Sequence, residues 1–213
     1  MTGHGAGDAP LRVVVSVGTG PYPFDRLVRA VDAWAQDWGE LHHRPVDLWV
    51  QHGHSEPPQR GQAVRTVVRG ELVDRFLTAD VLVTHGGAAT VLDANAVGRR
   101  PIVVPRRRYL REHEDDHQLT SGLALADQGH VWLAPTVPEV AIQLSRMAAD
   151  PATGVVPPRQ HGTRAAALRL EHELDRITGT SRPAGTTLRR FAALTRRRDE
   201  HRGPRPSAPR HAR

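Results

Sequence analysis

His85, Gly86 and Gly87 follow the apolar run Val81-Leu82-Val83 and lead into a helical pattern beginning at Ala88. A strand that enters a helix through glycines leaves the first helical N–H groups pointing outward without an intrahelical acceptor. Those groups, with the helix dipole behind them, bind phosphate. Gly86 and Gly87 lack a Cβ, so the chain can turn sharply there and a ligand can come close. Thr90 adds a hydroxyl in the first turn. Asp93, one turn further on the same helix face, stands where a ribose or sugar hydroxyl can be held. The same residues also form an ordinary strand-to-helix turn, so by themselves they leave nucleotide binding and plain structure both open.

A second group with chemical potential is His113-Glu114-Asp115-Asp116-His117, which matches the H-E-x-x-H pattern of zinc hydrolases. In that pattern two histidines four apart on one helix bind zinc and the glutamate acts as base. The context here is different. Both middle positions are acidic, a proline-arginine loop precedes the motif, and no third ligand follows on a matching helix. A zinc hydrolase through His113, Glu114 and His117 is therefore a remote alternative, and no metal ligands are assigned.

These residues need elements to hold them, and the chain alternates strands with helices. Leu11 to Val17 reads as a strand buried on both faces. Phe24, Leu27, Val28, Val31, Trp34 and Trp38 form a helical stripe. Asp47 to Gln51 is a strand, Val64 to Val68 a short strand, Leu72 to Leu77 a helix and Val81 to Thr84 a strand. Ala88 to Val97 is a helix stopped by Gly98. Pro101 to Val104 is a strand, Asp116 to Asp127 a helix, Val131 to Leu133 a strand and Glu139 to Met147 a helix. Such alternation predicts a Rossmann-like α/β fold, a mainly parallel sheet with helices on both faces. Ligands of such sheets bind beyond the carboxyl ends of the strands. Gly18-Thr19, His85-Gly86-Gly87 and the loop after Pro105 all lie at such ends.

At 213 residues the chain has room for one such domain and some extra length. It has no cysteine, which excludes disulfides and thiolate metal sites and agrees with a reducing, cytoplasmic setting. No stretch of about 18 apolar residues is present to span a membrane. The formal charge of +6 is unevenly spread: from Arg182 onward ten arginines stand against Asp199 and Glu200, leaving the preceding residues at a net −2. The expected organisation is a flexible start (residues 1–10), a ligand-binding domain (11–150), a linker with a helix from Arg164 to Ile177 (151–180) and a basic disordered tail (181–213). An arginine-rich tail is compatible with nucleic acid. However, the slightly acidic body and the absence of an aromatic stacking platform argue against it, and no nucleic-acid partner is expected.

Several segments together resemble the C-terminal domain of glycosyltransferase family 28, over residues 11 to 150. They are Val15-Ser16-Val17-Gly18-Thr19, Pro23-Phe24-Asp25-Arg26-Leu27-Val28, Thr84-His85-Gly86-Gly87-Ala88-Ala89-Thr90, Arg100-Pro101-Ile102-Val103-Val104-Pro105-Arg106 and Glu112-His113-Glu114-Asp115-Asp116-His117-Gln118. The similarity is to its short, free-standing members, which include the catalytic subunit of the dolichol-linked N-acetylglucosamine transferase and bacterial exopolysaccharide counterparts. The resemblance implies the donor-binding half of a GT-B enzyme. A UDP-sugar would be the donor substrate, with no cofactor, and a membrane-bound acceptor-binding subunit and a lipid-linked glycan acceptor would be the partners. It also implies residue roles: His85, Gly86, Gly87 and Ala88 at the diphosphate, Thr90 at a phosphate oxygen and Asp93 at the ribose, where related two-domain enzymes carry glutamate. His117 and Gln118 would hold the donor sugar, and Gly18 and Thr19 would line the same cleft. Arg106 is a candidate phosphate contact. No catalytic base is named, because in this family it tends to come from the acceptor half. A sugar-nucleotide-binding module without transferase activity is the alternative.

Overall fold

The structure, a computed structural model, describes residues 9–159. Six parallel strands form one sheet: β1 (Leu11–Ser16), β2 (Val46–Gln51), β3 (Gln62–Val64), β4 (Val81–His85), β5 (Ile102–Val104) and β6 (Trp132–Leu133). Their order across the sheet is β3-β2-β1-β4-β5-β6. Among the described residues α1 (Asp25–His42), α2 (Arg69–Thr78), α3 (Ala88–Ala96) and α4 (His117–Asp127) lie between strands, and α5 (Val137–Ala149) follows β6.

The apolar runs of the strands divide between two faces, as the strand period of two requires. Val13, Val15, Val81, Val83, Ile102 and Val104 pack with α1 and α5 around Phe24, Leu27, Val31 and Leu144. On the other face Val14 and Leu82 meet Phe76 and Ala94 of α2 and α3. Val103 meets Val91, with Leu125 of α4 alongside. Both faces are covered, which is why the central strands show no polar alternation.

Two expectations are corrected. The third strand is Gln62–Val64, paired with Trp49 to Gln51, and not Val64 to Val68. Val67 instead packs against the α2–α3 side of the core, and Val68 is already the N-cap of α2. Residues 151–159, expected to be linker, fold back onto the sheet domain. Pro151–Gly154 form a short 3-10 turn, the Arg100 N–H donates to the Gly154 carbonyl (2.8 Å), and the Val156 N–H to that of Gly98 (2.9 Å). Further along, the Arg159 N–H reaches the Asn95 carbonyl at 3.0 Å. The proline-rich composition marks a segment without regular structure, which is not the same as one without contacts. The expected helix from Arg164 to Ile177 and the basic tail lie outside the described residues. Among the described residues no helix is long and apolar enough to cross a membrane.

Candidate functional site

The strand order reverses direction between β1 and β4, so the loops leaving these neighbours diverge to opposite faces and open a crevice. One wall is the turn after β1. Its Gly18 has φ +80°, and Gln51, at the end of β2, holds it on both sides. Gln51 Oε1 accepts from Ser16 Oγ (2.8 Å) and Gly18 N (3.0 Å), while its Nε2 donates to the Gly18 carbonyl (2.8 Å) and the Arg65 carbonyl (3.1 Å). Gln51 is only 2% exposed and every polar atom of its amide is used. Its only signal in the sequence is a polar residue ending an apolar strand. Thr19, next to Gly18, is exposed at the mouth of the crevice.

His85 occupies the floor. A Cβ on Gly18 would sit 2.5 Å from His85 Cε1, and a Cβ on Gly87 2.3 Å from His85 Nε2, so the ring fits only because both neighbours are glycine. Burial, with help from the charge of Arg106, pulls the His85 imidazole down from 6.5 to about 4. The ring is therefore neutral near pH 7, with Nδ1 3.4 Å from the Ser16 carbonyl.

The start of α3 forms the opposite wall. Its N-cap is Gly87, there is no side-chain cap, and no acid lies in the first turn. The first backbone bond into the helix is Val91 N–H to the Gly87 carbonyl (3.1 Å). Among the described residues the N–H groups of Gly87, Ala88, Ala89 and Thr90 thus have no acceptor. Gly86 differs. Its N–H donates to Gln118 Oε1 at 3.1 Å, so it is already satisfied and is not offered to a ligand.

Gln118 also accepts the Arg106 N–H (3.1 Å) and is 4% exposed. Two converging donors fix its oxygen toward them, leaving Nε2 as the group able to donate elsewhere. Arg106 itself does not present a free cation. It is 3% exposed; NH1 donates to the carbonyls of Tyr22 (2.7 Å) and Glu112 (3.0 Å), and NH2 to that of Val17 (2.7 Å). Burial lowers its guanidinium to about 10, so it remains charged at neutral pH. Its geometry is that of a brace between loops, not a phosphate ligand. Arg26 adds a second brace through a two-pronged pair with Glu112, at 2.9 Å on each prong. Neither brace is evident from the sequence.

Asp93 lies on the expected face of α3, but its carboxylate is gripped by both prongs of Arg69 at the start of α2. A ribose hydroxyl there would share the carboxylate with that arginine. His113, Asp115 and His117 draw together beside Gln118, yet α4 begins only at His117, with Asp116 as N-cap. The H-E-x-x-H residues therefore do not share a helix, and Glu114 accepts the Tyr22 hydroxyl (3.2 Å), while Asp115 is the acid that groups with the two histidines. The zinc hydrolase alternative fails on that geometry.

Residues 12–153 match the sequence profile of the glycosyltransferase family 28 C-terminal domain. The chain belongs to this family. Among curated relatives, the UDP-N-acetylglucosamine–N-acetylmuramyl-(pentapeptide) pyrophosphoryl-undecaprenol N-acetylglucosamine transferase of Methylorubrum extorquens is 29% identical over 175 residues, covering 79% of this chain and 46% of the relative. The enzyme of the same name from Pasteurella multocida is 27% identical over 129 residues, 60% of this chain and 35% of the relative. The chain thus spans less than half the length of these relatives. Among solved structures, Acinetobacter baumannii MurG superposes with TM-score 0.50 at 19% identity, over 81% of this chain and 51% of that one. The solution structure of ALG13 aligns with TM-score 0.49 at 17% identity, over 80% of this chain and 98% of its own. The fold of this family 28 domain is that of the C-terminal half of a GT-B glycosyltransferase.

Proposed function

We propose that the chain is the donor-binding, catalytic subunit of a two-chain inverting glycosyltransferase. It would transfer a hexosyl or N-acetylhexosaminyl group from a UDP-sugar to a lipid-linked acceptor during exopolysaccharide or cell-surface glycan assembly. The observation that carries this reading is the open start of α3, whose first N–H groups lack an acceptor among the described residues, at the carboxyl end of β4 beside β1. Leaving UDP concentrates negative charge on its diphosphate. Donors already aimed at that charge stabilise it without having to reorganise as the bond breaks. Gly87, Ala88 and Thr90 hold the diphosphate, Gly18 and Thr19 line the opposite wall, and Asp93, positioned by Arg69, accepts ribose hydroxyls. Gln118 Nε2 and His117 meet the sugar. His85 and Gly86 shape the turn, and Arg106 fixes the walls. The names of the curated relatives, which pair UDP-N-acetylglucosamine with an undecaprenol-linked substrate, support the donor and acceptor classes.

The base that deprotonates the acceptor comes from a membrane-bound partner chain, which also brings this subunit to the inner face of the membrane. Calorimetry on the full chain with UDP, UDP-sugars and UMP tests the donor site. Binding of UDP and UDP-sugars with much weaker binding of UMP is expected, and absence of UDP binding overturns the reading. The donor groups without an assigned base also fit a non-catalytic sugar-nucleotide-binding module. Sugar transfer on adding the acceptor-binding chain separates the two.

A further inference from the structure

The geometry points to a divalent transition-metal site formed by His113, Asp115 and His117, at the entrance to α4. Each residue offers one ligand atom, and these atoms all lie within 4.8 Å of one another. Ligands around one ion at bond lengths of about 2.0 to 2.2 Å are roughly 3 to 4 Å apart, so side-chain rotation alone brings this set into register. His113 Nδ1 is already 3.3 Å from Asp115 Oδ1, and His117 Nδ1 is hydrogen-bonded to the same carboxylate oxygen. The two imidazole rings meet edge to face, with centroids 4.7 Å apart.

The loop that carries them is held from both sides. Tyr22 stands 6.2 Å from the His113 ring, and its hydroxyl donates to Glu114. Asp116 Oδ1 accepts the Arg108 N–H at 3.0 Å and Arg107 Nε at 3.3 Å. The remaining acids are thereby engaged by other partners, leaving Asp115 as the carboxylate between the two rings. Two imidazoles with one carboxylate suit zinc, cobalt or nickel better than magnesium or calcium. All three side chains keep some exposure, so water fills the other coordination positions.

This differs from the hydrolase pattern, since the carboxylate is a ligand and not a base, and it revises the expectation that no metal is held. It shares His117 with the proposed sugar contact but needs neither the diphosphate site nor a bound nucleotide. The test is titration of the full chain with zinc by calorimetry and with cobalt by visible absorption, both without nucleotide. One equivalent of metal is expected, with a cobalt band in the visible. Asp115→Asn and His113→Ala should each weaken binding by ~10-fold or more, and the pair together should abolish it. Circular dichroism confirms that these loop variants fold. The chain carries 13 histidines, so the variants decide. No binding by the wild type, or unchanged binding in the double variant, overturns the proposal, while calorimetry with UDP on the same samples reports separately on the donor site.

Discussion

The starts of α3 and α5 face the same end of the sheet and are finished in opposite ways. At α5, Thr136 and Glu139 satisfy one another. The Thr136 N–H donates to Glu139 Oε2 (2.9 Å), the Glu139 N–H lies 3.5 Å from Thr136 Oγ1, and Pro138 removes a donor altogether. At α3, glycine stands where a capping hydroxyl would, and the first turn carries no acid. Helices α1 and α2 also place an acid, Asp25 or Glu71, in the first turn. A self-capped start contributes stability, and an open one keeps its donors for an acceptor from outside. The open start sits where the strand order reverses, the place where ligands of such sheets generally bind.

The contrast breaks most visibly at Gly87. A Val at this position puts a Cβ into the His85 ring and methyl groups over the adjacent N–H groups. UDP affinity should fall ~100-fold or more, about 2.7 kcal/mol, and calorimetry that finds it unchanged removes the distinction between the two helix starts. Acid acts on the floor of the same crevice. Because His85 is held at about 4, below its ordinary 6.5, its stabilising contribution is full above pH 6.5 and is lost as pH falls toward 4. The loss is at most about 3 kcal/mol and is reduced by the ring's remaining solvent contact. Urea unfolding across that window should show wild type losing more stability than His85→Asn.

Asp93→Ala should weaken UDP about 10-fold, near 1.4 kcal/mol, and leave pyrophosphate affinity as it was; equal losses for both ligands would place Asp93 away from the ribose. The smallest effect belongs to the closed helix start. Thr136→Ala should lower stability by about 1 kcal/mol, seen as an earlier thermal midpoint, with UDP affinity unchanged.

Elements with a strong apolar period are legible from the sequence. Strands β1 and β4 and helix α1 fall where the valine runs and the Phe24-to-Trp38 stripe put them, because burial on one or both faces dictates those patterns. The place of the crevice is legible too, since the glycine turns after β1 and β4 fall at the carboxyl ends of strands, where ligands of such sheets generally bind. The connections that shape it are not. Gln51, Arg106 and the Arg26–Glu112 pair act over long sequence separations through the few polar atoms of one side chain, and polar residues in loops carry no period. For a related reason β3 escapes a reading by apolar runs: Val67 and Val68 are apolar without being strand, serving the core edge and the entry to α2.

Arg106 has a consequence for how this surface can diversify. One guanidinium ties the stem of the loop after β1, through Val17 and Tyr22, to the stem of the loop after β5, through Glu112, with the Phe24 ring 4.7 Å beneath it. Neither stem can change shape without stranding charge in the interior. The tips are released from that constraint: Thr19 and Gly20 on one side, Tyr109 and Leu110 on the other, all stand in solvent. Variation in what this surface contacts therefore has those tip positions to work with, mounted on a frame that must be inherited whole.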